Sequence, residues 1–191
     1  MPVTTKQFKV DEKKKSAIED LFPKIALIRD DNLREQVIEV WVEIWNQSKL
    51  QRLQEITINR DEVFTFLKHI NVTADLSLIM AEVLMKEYRM TINVDYVLAI
   101  AFLHDVDQII LREKVAGKIQ SKPLERLVPH GMYGGHIALE KGLPPEIFNG
   151  IVFHRPSMPL PATIEALIVR HCDHANYDAY SLAIGINLKP A

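Results

Sequence analysis

Residues 96–111 read YVLAIAFLHDVDQIIL. An unbroken apolar run from Tyr96 to Leu103 ends on two ionisable neighbours, His104 and Asp105, and apolar residues return at Ile109, Ile110 and Leu111. A buried strand competes for the first part, but the continuation at helical spacing predicts one helix from Asp95 to about Leu111, capped by Asn93 or Asp95. Burying a histidine and an aspartate at the end of such a run is costly unless something pairs or binds them. A helix-end ion pair is one account of them.

The surrounding chain is also helical in pattern. All 7 glycines fall at Gly117 or later, and of 10 prolines only Pro2 and Pro23 precede Pro123. Leu33, Val37, Val40, Trp41 and Ile44 keep the three-and-four spacing of a helix with one buried stripe, and Trp41 and Trp45 lie one turn apart. From Asp61 to about Tyr88, two apolar stripes leave only Lys68, Asn71, Asp75, Glu82 and Lys86 on a polar strip, which predicts a central, mostly buried helix. Arg112 to Arg126 loses the apolar pattern and reads as a surface loop or short helix. Shorter helices follow over Met132 to Lys141, Pro144 or Pro145 to His154, and Ala162 to about Tyr180, with Gly142 and the prolines as punctuation. The expected fold is all-α, with residues 1–60 as an N-terminal helical extension and residues 61–191 as the main domain.

Composition narrows the function classes. The chain has 191 residues, a formal net charge of -2, 48% hydrophobic and 25% charged residues, the profile of a globular domain rather than a disordered one. Cys172, the single cysteine, rules out an internal disulfide and a cysteine-ligated zinc site, and a reducing, cytoplasmic location is expected. No apolar stretch approaches the roughly 20 residues of a membrane span, so no membrane partner is expected. A pI near 6.4 gives no global attraction to nucleic acid.

Function must therefore come from the seven histidines. His69 sits on the predicted central helix, where a histidine is more often a satisfied core residue than a ligand. His154 ends the apolar helix that closes HGMYGGHIALEKGLPPEIFNGIVFH, a stretch opened by His130. Asp173 lies in ALIVRHCDHANYDA, where a third apolar helix turns polar. Helices that each end in histidine or aspartate are expected when their ends converge on a metal. A set of imidazoles and carboxylates without thiolate suits iron, manganese, cobalt or zinc better than magnesium or calcium.

The order His69, His104-Asp105, Asp173, carried by FLKHINVTADLSLIMAEVL, AIAFLHDVDQI and IVRHCDHANYDA, resembles the HD-domain metal-dependent phosphohydrolase superfamily. The resemblance spans about Asp61 to Tyr180 and implies an HD-type helical bundle. The stretch from His130 to His154, with its GLPPEI turn, is similar to that of dinuclear members. It implies that His69, His104, Asp105 and Asp173 hold one divalent transition metal. His130 and His154 would hold a second, with Asp105 bridging and central to catalysis. Iron or manganese is expected in the two sites, with cobalt, nickel or zinc as alternatives.

Two departures bear on the reaction. Hydrolytic members continue the HD dipeptide with Ile-Gly-Lys, whereas this chain has Val106-Asp107-Gln108, which removes a lysine and adds an acid. Arg155-Pro156 follows His154 in place of the histidine and GYP motif of the subgroup that opens cyclic dinucleotides. The favoured expectation is hydrolysis of a phosphomonoester or phosphodiester, including nucleotides, by a metal-activated hydroxide. An HD-type diiron oxygenase acting on a polyol or phosphonate, and a non-catalytic ligand-binding module, are the alternatives. Lys68, Arg155 and His136 are the candidate substrate-binding residues, with Lys114, Lys118 and Lys122 as a further basic wall. His171 is expected in the core, His174 beside the ligands, and Cys172 as a small buried residue. The expected partner is a small phosphorylated molecule, and the N-terminal helices are expected either to mediate a homodimer or to cover the core.

Overall fold

The computed structural model describes residues 11–48, 50–56 and 58–186. Helix α1 (Glu12–Leu21) starts where the Asp11 carboxylate accepts from the backbone of Lys13 and Lys14. A 3-10 turn opened by Pro23 leads into α2 (Asp31–Ser48), whose buried stripe includes Leu33, Val37, Trp41, Ile44 and Trp45. Trp41 is fully buried and its indole N–H donates to the carbonyl of Phe102 at 3.0 Å. The Phe22 ring packs against both Trp41 and Phe102, with centroids 4.8 and 5.7 Å away. The N-terminal helices thus share one core with the rest of the described chain and grip the end of the helix that delivers His104. Burying an indole of this size contributes on the order of 2–3 kcal/mol.

Helix α3 (Phe66–Tyr88) begins at Thr65, whose hydroxyl caps Lys68, and packs against α4 (Val94–Leu103) and α8 (Ile164–Ala183). It is less buried than its apolar sequence predicts. Ile70, Ala74 and Ala81 are in the core, but Leu76, Ile79, Met80 and Val83 are exposed, Ile79 by 58%. Its second apolar stripe faces outward, opposite the face that α4 and α8 cover.

Asn93 caps α4 by accepting from Asp95 and Tyr96. The single helix expected over 95–111 is broken: α4 ends at Leu103, residues 104–107 form tight turns, and a short α5 covers Gln108–Leu111. The backbone closes three-residue bonds there, Val106 N to Leu103 O and Gln108 N to Asp105 O. The break comes after His104, whose N–H still closes the last α-helical bond of α4, to Ile100 O at 2.8 Å.

The basic segment after it is mostly a hairpin, and only its end, Pro123–Arg126, is the short helix expected, as a 3-10 turn. Strands β1 (Arg112–Val115) and β2 (Lys118–Ser121) pair antiparallel around Ala116 and Gly117, both at positive φ, 48° and 80°. That is the geometry a two-residue hairpin needs to follow strand twist, with alanine in a place where Asn or Gly is usual. Helices α6 (Met132–Glu140) and α7 (Pro145–Phe153) follow the predicted boundaries closely. Gly150 lets α7 cross α4 at close range, since a Cβ there would meet the Ile100 side chain at 2.6 Å.

His171 is exposed on α8, contrary to the core position expected, because the buried face carries Ile168, Val169 and Cys172 instead. Among the described residues no helix is long and apolar enough to cross a membrane.

Candidate metal centre

Five segments aim polar side chains at one end of the bundle. His69 comes from the first turns of α3, His104 and Asp105 from the turn after α4, and His130 from the turn before α6. His154 is the C-cap of α7, and Asp173 lies mid-way along α8. All six are buried. Nε2 of His69 lies 3.0 Å from Oδ1 of Asp173, 3.4 Å from Nε2 of His104 and 3.6 Å from Oδ2 of Asp105. On the other side of the same carboxylate, Oδ1 of Asp105 lies 2.6 Å from Nε2 of His130 and 3.6 Å from Nε2 of His154. Asp105 therefore faces two clusters with two different oxygens.

The outer ring nitrogens are engaged in ways that expose the inner ones. Nδ1–H of His104 donates to the Ala101 carbonyl at 2.8 Å, and Nδ1–H of His154 donates to the Ile151 carbonyl at 2.6 Å. Both acceptors are carbonyls, so each ring holds its proton on Nδ1 and presents an Nε2 lone pair inward. The Asn176 amide lies 2.9 Å from Nδ1 of His69, and its orientation sets that ring's tautomer. Nδ1 of His130 meets a full carboxylate, Oδ1 of Asp107, at 2.6 Å.

The electrostatics follow from burial and these partners. Burial raises the cost of ionising Asp105, yet His104 and His130 outweigh it and hold the carboxyl well below its ordinary range. Burial likewise opposes ionisation of Asp173, and its hydrogen bond with His69 lowers its pKa below the ordinary value. Burial disfavours charge on His130, but Asp107 and Asp105 together raise its pKa to about 9. His69 is raised despite burial, through Asp173 and Asp105, whereas burial keeps His104 low. A site with two carboxylates and four imidazoles converging at these separations is built to receive cations. His69, His104 and Asp105 could hold one metal ion, and Asp105, His130 and His154 another.

The clusters open into a cavity of about 440 Å³. Arg60, Arg112 and Arg155 line it, facing His69, Asp105, His130, His154 and Asp173. Arg112 is tied to Glu125 at 3.0 Å and to Gln108 at 3.2 Å. Arg155 has no ion pair or side-chain hydrogen bond among the described residues. His174 also lines the cavity; its buried Nε2 has no hydrogen-bond partner among the described residues and lies 3.9 Å from Oδ2 of Asp173.

Other expected substrate residues lie elsewhere. His136 is 61% exposed on the outer face of α6, where it meets Glu140 at 3.5 Å. Helical phase turns it away from the cavity that His130 faces. Lys68 is exposed and lines only a small neighbouring depression of about 110 Å³. Lys114 and Lys118 are exposed on the hairpin, which contributes Arg112 and Ile119 to the cavity instead. Neither His136 nor Lys68 is placed to touch a molecule in the cavity.

Asp107, the acid that the sequence adds after the HD dipeptide, is not on the cavity wall. It is fully buried and accepts from His130 and from the backbone N–H groups of Gly131 at 2.9 Å and Gly134 at 3.0 Å. Its place two residues after Asp105 gave no cue, because its donors come from another segment. Arg60 was missed because it lies before the apolar pattern of α3.

The HD domain family pattern matches residues 66–178. No curated protein and no solved structure matches the chain.

Proposed function

Given that the chain belongs to the HD-domain family, whose members are generally metal-dependent hydrolases, we propose that it is a phosphohydrolase acting on a small phosphorylated molecule. The observation that carries this reading is a guanidinium without an ion pair among the described residues, Arg155, next in sequence to His154 on the wall of the cavity that the two His/Asp clusters share. A phosphoryl group drawn to the clusters would find there a planar fork of donors matched to its oxygens.

In this reading His69, His104, Asp105 and Asp173 hold one divalent transition metal, and Asp105, His130 and His154 hold a second. Iron or manganese suits the donors best. When bound, such ions supply Lewis acidity, acidifying a water and neutralising charge on substrate oxygens. Asp105 holds the two clusters in fixed relation through its two oxygens. His104 and His154 keep their protons on the carbonyl side, so neither needs to lose one on loading. Arg155 orients the phosphoryl group, and Phe64 and Ile119 exclude water from the rest of the substrate.

A diiron oxygenase is the second reading, and Gln108 is what favours it. This neutral residue lines the cavity 3.4 Å from Nε2 of His130, at the position where hydrolytic relatives place lysine. One assay separates the two. Manganese- or cobalt-loaded protein is incubated without oxygen with a panel of sugar phosphates and nucleotides, and phosphate release is measured. Release that persists with a redox-inert ion supports hydrolysis. No release, with oxygen uptake by the iron-loaded protein on a polyol or phosphonate, would establish the oxygenase instead.

A further inference from the structure

One wall of the cavity lies outside the stretch that matches the family. Ile58, Arg60 and Phe64 all line it, and all precede residue 66. What this wall recognises is therefore a property of this chain rather than of the shared metal-binding framework.

The wall is built to hold Arg60 still. Asn59 accepts from the backbone of Phe66 at 2.9 Å, and Arg60 N donates to Phe64 O at 3.2 Å, closing a tight loop. Inside the loop, Asp61 accepts from Val63 and Phe64, and the Tyr180 hydroxyl donates to the same carboxylate, pinning the loop to α8. Across this anchor the Arg60 guanidinium donates to Ser181 Oγ at 2.7 Å and lies over the Tyr177 ring, 4.6 Å from its centroid. Those two contacts fix the plane of the guanidinium and leave most of its five N–H donors without a partner among the described residues. Among the described residues no carboxylate forms an ion pair with it. The neighbouring Asp61 carboxylate feels the Arg60 charge but lies outside ion-pair distance, as does Asp178 on the cavity wall.

A guanidinium held by a hydroxyl and a ring face, with no carboxylate within ion-pair distance among the described residues, is arranged for a ligand oxyanion. We propose that Arg60, backed by Tyr177 and Ser181, forms a second anion subsite that receives an acidic group of the substrate other than the phosphoryl group bound at the metal clusters. Resting on the phosphohydrolase reading, this narrows the substrate to a small molecule with two acidic groups, one a phosphate and the other a phosphate or a carboxylate. The cavity volume of about 440 Å³ accommodates such a molecule, being within the roughly 300–1,000 Å³ usual for small-ligand sites. Arg60 is a specificity residue here and takes no part in bond breaking.

The test compares manganese-loaded wild type with Arg60→Gln and Arg60→Lys on three compounds: glycerol 3-phosphate, 3-phosphoglycerate and fructose 1,6-bisphosphate. The second and third distinguish a carboxylate from a phosphate at the subsite. The wild type should favour at least one doubly acidic compound over glycerol 3-phosphate. Arg60→Gln should cut that preference about tenfold or more, through KM rather than kcat, and Arg60→Lys should restore only part of it. A preference unchanged by Arg60→Gln, or no preference in the wild type, would overturn the subsite. If none of the three is hydrolysed, calorimetric binding of the same compounds to the loaded proteins decides independently of the reaction. Binding that weakens in Arg60→Gln only for the doubly acidic compounds upholds the subsite while the hydrolase reading fails, and equal or absent binding overturns it.

Discussion

Nδ1 of His130 lies 2.6 Å from Oδ1 of Asp107, a carboxylate fully shut off from solvent. The second oxygen of Asp107 accepts from the backbone of Gly131 and Gly134, so one side chain fixes both the His130 ring and the start of α6. A carboxylate behind a candidate metal-binding imidazole sets its tautomer and its aim, and raises its basicity.

Replacing Asp107 should accordingly disable one cluster and spare the other. Asp107→Asn keeps the volume but offers a single acceptor oxygen where three N–H groups now converge. Affinity for the second ion is expected to fall about 10–100-fold, with the first ion retained. Asp107→Ala should additionally cost at least about 2 kcal/mol of stability, since buried donors lose their acceptor. Elemental analysis after desalting, alongside urea unfolding, checks both; equal loss of both ions would contradict it.

The charge state of His130 predicts a pH dependence in metal-free protein. Burial works against the imidazolium, but Asp107 and Asp105 raise its pKa to about 9 from the ordinary 6.5. A folded-state pKa above the unfolded one means that the folded chain holds the proton more tightly. The stabilisation is fully present below about pH 6.5 and is lost as pH rises through about 9. Unfolding midpoints of chelator-treated protein at pH 6 and pH 9.5 should differ in that direction, and His130→Gln should flatten the difference. Metal should bind more tightly as pH rises over the same interval, because the ion displaces that proton.

Much of this arrangement was legible in the sequence, for identifiable reasons. His104, Asp105, His154 and Asp173 end or interrupt apolar helical runs, and the penalty on burying ionisable groups marks such positions without any structure. The helices themselves showed in periodicity, with Asn93 as a cap, although Thr163, which caps α8, was expected inside that helix. Local pattern could not reveal features that depend on distant partners. The turn at 104–107 breaks a sequence whose periodicity continues, because Asp107 meets the backbone of Gly131 and Gly134 from another segment. The hairpin after it turns on Ala116-Gly117, a pair without the usual asparagine, and its strands are nearly all exposed and carry no alternation. Arg60 acquires its meaning only from Tyr177 and Ser181, more than a hundred residues away.

Gly131 should tolerate no side chain. Its φ is 92°, and a Cβ would come within 2.7 Å of the Ile151 carbonyl and 3.6 Å of the His154 ring. Gly131→Ala is expected to destabilise the fold by about 1–3 kcal/mol, from the left-handed backbone and the backbone clash together. Because the residue joins His130 to α6 and abuts His154, the same change should weaken binding of the second ion. A melting temperature and metal content equal to wild type would show that the turn relaxes freely.

The sharpest distinction among the six clustered residues concerns Asp105. Its Oδ1 faces His130 and His154 while its Oδ2 faces His69 and His104, so each cluster loses a member when this carboxylate is removed. His130→Ala or His154→Ala takes a donor from one cluster alone, and His69→Ala from the other. Asp105→Ala should therefore abolish retention of both ions through desalting, whereas each histidine variant should retain about one ion per chain. Asp105→Asn offers one neutral oxygen where two charged ones stood, and should retain at most one ion with weakened affinity. In metal-free protein Asp105→Ala should also lower the pKa of His130, because one of the two carboxylates that raise it is gone. NMR titration of the imidazole, followed beside metal content, separates loss of the shared carboxylate from general unfolding. Retention of one full equivalent by Asp105→Ala would mean that the two clusters bind independently and that the carboxylate serves only one of them.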